Sequence, residues 1–511
     1  MTTRTLVDTD SVQIVANKWL DDVRQYQQNV DTLWKHGTIN AALSNIGTST
    51  HTTLVVTENT AVNANTDLTS YPNIHWLFLG SGKLTPATGV TLTLYSPDTI
   101  TADPGQKILD NSAGTIVFSH AGTALAGWWG IDRTGSTSAA SSIQSAMDAL
   151  PTSGGRGGTV LLGGGVISIG TTTLIIPNRI RLKGEGRRTT IVNYSGTGTA
   201  IDCVDMNEGG GLEGIRLYVG TSTTAVGINI RNSATDVRRT RFDDLEIFGA
   251  ANTSGQIGMQ LVASGGHIIS DNYFGDICLA EIAKPIIKTS TEGNIFSAIQ
   301  IDSYGNTAGA IAIDSYSHDD QMISRVSGVQ AAVSSPVAYK EQGTGNIVSI
   351  VADIGASPAS ALNISGIRNK ITLSRPAGNT PLGTIGRWST VSDSDITIGQ
   401  RPSSRGNTVT TINLNANWGT TATVTSISGD DTRGQFTVNS AGTGQGANPT
   451  ITVNFIDGTW PSAPFAIVAH GLGDQLTVPL TWTTTVNTLD IIFQGTPIAG
   501  QFYRINYMVI G

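Results

Sequence analysis

Between residues 180 and 398 the chain repeats one small pattern, two apolar residues separated by a single position. Ile180-x-Leu182, Ile215-x-Leu217, Leu245-x-Ile247, Ile277-x-Leu279 and Ile299-x-Ile301 are followed by a weaker Val326-x-Gly328. Ile350-x-Ala352, Ile371-x-Leu373 and Ile396-x-Ile398 continue the series. Successive pairs start 21 to 35 residues apart. That spacing predicts the coils of a parallel β-solenoid, each stacked about 4.8 Å above the last with alternate side chains buried. Four short apolar runs between residues 158 and 194, separated by glycines, a proline and Gly184-Glu185-Gly186, fit strands that each form one side of a coil. In this register Ile215, Leu217, Ile277, Leu279, Ile299 and Ile301 point into the lumen, and Arg216, Cys278 and Gln300 point out.

Other periods flank the repeat. Val12, Ala16, Trp19, Val23, Tyr26, Val30 and Leu33 alternate in steps of four and three, which predicts a helix over Asp10–Gly37, either an amphipathic helix on its own domain or a short parallel coiled coil. Residues 51 to 118 read as short strands. Gly80-Ser81-Gly82-Lys83-Leu84 within them lacks the first glycine and the final Ser/Thr of a phosphate-binding loop and reads as a turn. Ile143, Met147 and Leu150 mark one face of a short helix. Past a Pro, Ser, Gly and Arg-rich break near residue 400, residues 409–511 carry longer alternating strands, the pattern of a β-sandwich. The expected organisation is all-β: a helical anchor at 1–40, a strand-rich neck at 41–120, a β-helix at 121–400 and a sandwich at 409–511.

Composition agrees. Only 13% of the 511 residues are charged, against a usual quarter or so, and 60 are glycine. A net charge of −8 leaves no basic face for nucleic acid. No run approaches the ~18 apolar residues of a membrane-spanning helix, and the opening residues lack the basic-then-apolar order of a signal peptide. The expectation is a chain that is made and kept soluble, or leaves its cell by a route other than signal-peptide secretion, without membrane insertion. Cys203 and Cys278 match no metal spacing and read as small hydrophobes. No motif asks for a metal or cofactor.

Residues 127–150 ("GWWGIDRTGSTSAASSIQSAMDAL"), 157–192, "LEGIRLYVG" and "FDDLEIFG" together resemble the pectate-lyase-like right-handed β-helix domains of phage tailspikes and related tail proteins. The match is clear over about residues 70 to 250, and the coil period extends it to about 400. Two departures stand out: Arg133 to Ser138 replace the family's aspartates near the capping helix, and Leu162 to Ile167 replace its "LPxGTY" strand. The resemblance implies a right-handed β-helix, a homotrimer, synthesis in a host cytoplasm, a place in a virion tail with other virion proteins at the N-terminus, and recognition of host surface polysaccharide. It transfers no active-site residues.

Candidate chemistry comes from the outward positions. Asp244 and Asp276 take the same offset in consecutive coils, about 5 Å apart, with Glu246 two residues along the strand. That separation is near the roughly 5–5.5 Å of retaining glycosidases. Beside Arg181 and Arg216, such carboxylates either protonate a glycosidic oxygen next to an acidic sugar or form a solvated ladder of ion pairs. Asp302, Asp314 and Asp320, with His318, Asp319 and Glu341, make a second candidate cluster. Tyr304 and Tyr316, along with Tyr339, Trp388 and Trp418, are candidates for stacking on sugar rings. Trp460, Trp482, Phe502, Tyr503 and Tyr507 are expected to lock three chains together at the C-terminal end. The functional expectation is a tailspike or tail fibre that binds host polysaccharide and is a candidate depolymerase. The alternatives are a purely structural virion fibre and, further off, a free bacterial polysaccharide lyase.

Overall fold

The central apolar pairs stack one upon another. Ile215 pairs with Leu245, Leu245 with Ile277 and Ile277 with Ile299, while Leu217, Ile247, Leu279 and Ile301 form the adjoining column. All eight are buried, because a pleated strand turns alternate residues to one face and that face lines the lumen. The residues between them form an outward column, Arg216, Glu246, Cys278, Gln300 and Arg325.

In a computed structural model the protein is described over residues 29–510, apart from 155, 251–254, 306–309, 330–335, 354–359, 367, 375–382, 385–389, 394–410, 430–432, 456–462 and 471–478. These residues fall in two compact units. The first is a parallel β-solenoid of about 12 turns. Its coils feed two long sheets. One contains Gly211–Tyr218, Arg241–Phe248, Tyr273–Ala280, Ile295–Tyr304 and Gln321–Val329; the other contains Val226–Arg231, Ile257–Val262, Lys284–Glu292, Ile311–His318 and Val337–Glu341.

Register departs from the repeat at two places. Ile180-x-Leu182 does not underlie Ile215-x-Leu217: Leu182 pairs with Leu212, and Leu217 lies on Val192. The turn around Gly184–Gly186 divides that coil into two short strands, Ile180–Lys183 and Thr190–Tyr194, and the single long strand Gly211–Tyr218 spans both. Higher up, a one-residue slip after Phe296 sets Ile299 on Ser324 and Ile301 on Val326, and Ile350 and Ala352 continue those two columns; the next pair is displaced by two residues, so that Ile371 lies on Val348 and Leu373 on Ile350. Residues 52–118 are coils too, since Thr52–Val56 pairs in parallel with Ile74–Phe78 and Thr91–Leu94 with Thr115–Phe118. At the N-terminal side, Val30 and Leu33 of the expected helix lie in a strand, Val30–Thr32, and a 3₁₀ turn, Leu33–Lys35, while a helix occupies Ile39–Ile46. The rest of that heptad pattern lies outside the described residues. The helix Ala140–Asp148 buries Ile143 and Met147.

Two lumen stacks hold successive coils. Phe242, Phe274 and Phe296 lie nearly parallel, with ring centroids 5.1 and 4.4 Å apart. At a corner, Asn272, Asn294, Asp320, Asn346 and Asn369 form a buried ladder in which each side-chain Oδ1 accepts the backbone N–H of the preceding member. The ladder satisfies corner amides that have no strand partner.

The second unit is a β-sandwich of two four-stranded antiparallel sheets. Its core gathers Trp418, Phe493 and Tyr503, with centroids 5.0 to 5.5 Å apart. Tyr503 and Tyr507 are buried in their own chain, contrary to the expectation that they face other chains; Phe502 is exposed, and Trp460 lies outside the described residues.

Candidate functional site

The turn after Ile180–Lys183 carries a residue that sequence reasoning passed over. Gly186, with φ 135°, is followed by Arg187, whose guanidinium crosses to the next coils on the sheet's outer face. Arg187 Nη1 and Nη2 donate to the two carboxylate oxygens of Asp276 at 2.9 and 2.8 Å, and Nε lies 3.4 Å from Asp244 Oδ1. The Arg187 backbone N–H donates to Asp244 Oδ2 at 3.2 Å. Burial alone would lower the Arg187 pKa, but the bonds and charge of Asp276, with the charge of Asp244, carry it above its ordinary value.

A third carboxylate fixes both backbones. Asp243 Oδ1 accepts the N–H groups of Asp244 and Asp276, each at 3.0 Å. Asp244 takes a left-handed backbone, φ 49°. Burial raises the Asp243 pKa, and its bonds to Arg241 and to the two N–H groups hold it below the usual carboxylate range. Asp243 also receives Arg241 Nη2, and the Arg241 guanidinium carbon stands 5.2 Å from the centroid of the Tyr273 ring. Tyr273 is 36% exposed, with its hydroxyl 3.0 Å from Ser297 Oγ. A planar cation, two oriented carboxylates and an accessible ring thus share one face, the set of groups that hydrogen-bond sugar hydroxyls and stack on sugar rings.

The remaining candidates separate. Glu246 accepts from Arg216 Nε at 2.8 Å, and Arg181 lies 3.7 Å from Glu213, so these form an ion-pair ladder along the sheet. The second cluster does not assemble. Asp302 is exposed on the first sheet; Asp314 is on the second, 3.0 Å from Lys340 Nζ. Asp320 is 1% exposed and bonded to Lys288, which corrects its assignment as a surface acid. Tyr304 is likewise corrected: it is fully buried with its hydroxyl donating to Val337 O, so no sugar reaches its ring. Tyr339 and Trp418 are buried for the same packing reason, Trp388 lies outside the described residues, and Tyr316 is exposed on the second sheet. A cavity of about 440 Å³ beside Asp148 and Arg156 is lined by none of the candidate catalytic or sugar-binding residues. Arg187 lies inside the "GEGRRTTIV" segment that carried the resemblance, and Tyr273 stands one coil above Arg241 at the same register position, but no spacing in the sequence joins either residue to Asp244 and Asp276.

No protein-family model and no curated protein matches the chain. Among similar solved structures is ORF18 of Geobacillus virus E2, at 12% identity and a TM-score of 0.35, covering 74% of this chain and 79% of that one. The tailspike of Acinetobacter phage vB_ApiP_P1 matches at 12% identity and 0.26, over 76% and 87% of the two chains. The A-module of the Azotobacter vinelandii mannuronan C-5 epimerase AlgE6 matches at 11% and 0.27, over 54% of this chain and 100% of that one. The chain is therefore similar, at TM-scores of 0.35 and below, to phage tailspikes and to other β-helical proteins.

Proposed function

We propose that the chain is a homotrimeric virion tail protein whose solenoid face binds host surface polysaccharide at Arg187, Asp244, Asp276 and Tyr273, and that it holds the glycan without cleaving it. The observation that carries this reading is the Arg187 fork. With both oxygens of Asp276 taken up by one guanidinium, that carboxylate is placed to receive sugar hydroxyls at its free lone pairs, not to deliver a proton to a glycosidic oxygen. Asp244 and Asp276 thus serve as binding groups, while Glu246, Arg216 and Arg181 remain in the ion-pair ladder alongside them. The trimer finds support in exposed apolar side chains: Ile295, Ile323 and Ile347 on the first sheet are 45, 58 and 52% exposed, and Phe465, Ile467 and Met508 stand out from the sandwich. Such faces are costly in a lone chain and become interfaces between copies.

The test incubates purified protein and the Arg187→Ala and Tyr273→Ala variants with capsular or O-antigen polysaccharide from candidate hosts. Binding by the native protein, weakened in both variants, with no new reducing ends and no ultraviolet absorbance of an unsaturated uronate, supports the reading. New ends or that absorbance would make it a hydrolase or lyase. Absence of binding leaves the structural-fibre reading. Light scattering at three times the 53.3 kDa chain mass is expected, and a stable monomer would remove the trimer.

A further inference from the structure

One inward column of the second sheet breaks the rule that lumen positions are apolar. Ile230 and Leu261 are followed by Lys288, Ser315 and Glu341 before Ile364 restores the aliphatic series. Lys288 is 2% exposed, Asp320 1% and Glu341 0%. A buried ion pair recovers little beyond its own desolvation, so three ionisable groups stacked in the core of a solenoid need another reason.

The geometry points to a covalent cross-link: we propose that Lys288 Nζ condenses with the Asp320 carboxyl to form an intramolecular amide with loss of water. Nζ lies 2.9 Å from Asp320 Oδ2 and 4.8 Å from the centroid of the Phe296 ring, which walls it from solvent. Asp320 Oδ1 receives two donors from the ladder, Asn294 N–H at 2.8 Å and Asn294 Nδ2 at 3.1 Å. Those donors face the oxygen that becomes negative when an amine adds to the carboxyl carbon, the arrangement that stabilises a tetrahedral oxyanion. Thr291 Oγ1 donates to Oδ2, the oxygen that departs, at 2.9 Å. Ser317 Oγ is 3.3 Å from Nζ and 3.3 Å from Glu341 Oε2, giving the nucleophile a proton path to a buried base.

The step balances without any co-reactant. One proton passes from the ammonium to Oδ2, leaving a neutral amine and a carboxylic acid. Nζ then bonds to Cγ, and its second proton goes through Ser317 to Glu341. Glu341 returns that proton through Ser317 and across the 2.9 Å between Nζ and Oδ2 as the Cγ–Oδ2 bond breaks, so Oδ2 leaves as water carrying both protons and Glu341 ends as it began. The amide keeps Oδ1 as its carbonyl, still held by Asn294. Every other described rung from Asn272 to Asn369 is an asparagine, whose Nδ2 donates to a backbone carbonyl of the preceding coil, as Asn294 does to Ile269 and Asn346 to Ser317. Asp320 has no such donor and turns Oδ2 to the lysine instead. The link would tie the strand Lys284–Glu292 to the corner before Gln321–Val329, closing a covalent loop within the shaft.

Denaturing mass spectrometry of the intact purified chain tests the proposal. A mass one water below that of the sequence, with a proteolytic fragment joining Lys288 to Asp320 and uncleaved after Lys288, is expected. Lys288→Met is expected to restore the sequence mass, and Glu341→Gln to leave most chains unlinked while still folded by circular dichroism. A native chain at its full sequence mass, with cleavable Lys288, overturns the link and leaves a buried ion pair. A Glu341→Gln chain linked as completely as the native one removes Glu341 from the reaction.

Discussion

Asp243 and Asp276 lie in adjacent coils, and Asp243 Oδ1 accepts the Asp276 backbone N–H at 3.0 Å while also accepting that of Asp244. The bond is possible because residue 275 is glycine. A Cβ built there would stand 2.0 Å from that oxygen.

Asp243→Ala is therefore expected to destabilise the solenoid by about 1–3 kcal/mol, the usual cost of leaving a part-buried donor unsatisfied, and to weaken polysaccharide binding through Asp244 and Asp276. Gly275→Ala should cost a similar amount by displacing the carboxylate. The two changes share one interaction, so the double variant should be no less stable than Asp243→Ala alone. Urea unfolding of the four chains measures this, and additive losses would show that Asp243 and Gly275 act separately.

Acid stability follows from carboxylates that cap turns. Burial raises the Asp205 pKa, but the N–H groups of Ala234, Ser233 and Thr235 and the Ser233 hydroxyl carry it well below the ordinary carboxylate value. A depressed folded pKa contributes stability that is fully present above the unfolded value of about 3.9 and is lost as pH falls through the folded one. Asp243 has the same sign. The melting temperature of the native chain is expected to hold down to about pH 4 and fall below it, with Asp205→Asn lowering the plateau and flattening the acid slope. An unchanged slope in that variant would place the acid-sensitive groups elsewhere.

Phe274 is held between two rings in adjoining coils. Removing it takes contacts from both neighbours at once, so Phe274→Ala is expected to cost about 3–5 kcal/mol, while Phe274→Leu, which keeps most of the volume, costs less. Hydrogen exchange should show the loss in the coils between residues 241 and 304, because each coil of a solenoid leans only on its neighbours. A uniform loss along the shaft would contradict that local coupling.

The lumen was legible in the sequence because the period-two pattern acts on every residue of a strand, and so Ile277 and Leu279 are placed by their spacing alone. Turns were not. The corner that shifts Leu182 onto Leu212, and the coil path that sets Leu373 on Ile350, change register by amounts that no apolar spacing encodes. The same limit hid Arg187. Its partners lie 57 and 89 residues away, and only the path of the turn brings its guanidinium over Asp244 and Asp276. Tyr304 misled for the opposite reason: an aromatic residue looks alike in sequence whether it faces a ligand or the core, and its place at a buried strand position decides the matter.

Cys278 offers a reporter on the proposed binding face. It sits in the outward column between Glu246 and Gln300, half-buried within its own chain, whereas Cys203 is enclosed in the lumen. Burial, and next the negative charge of Glu246, push the Cys278 thiol up, while the charge of Arg187 pulls the other way. Burial pushes Cys203 well above its ordinary value. Since the thiolate is the reactive form, Cys278 should label slowly at neutral pH and faster as pH rises, and Cys203 only after denaturation. Bound polysaccharide, which would cover Arg187 and the strip beside it, is expected to slow Cys278 labelling further. Arg187→Ala should remove that protection and, by deleting the nearby positive charge, also slow the reaction of the free protein. Equal labelling with and without a polysaccharide that demonstrably binds would move the binding site away from this face.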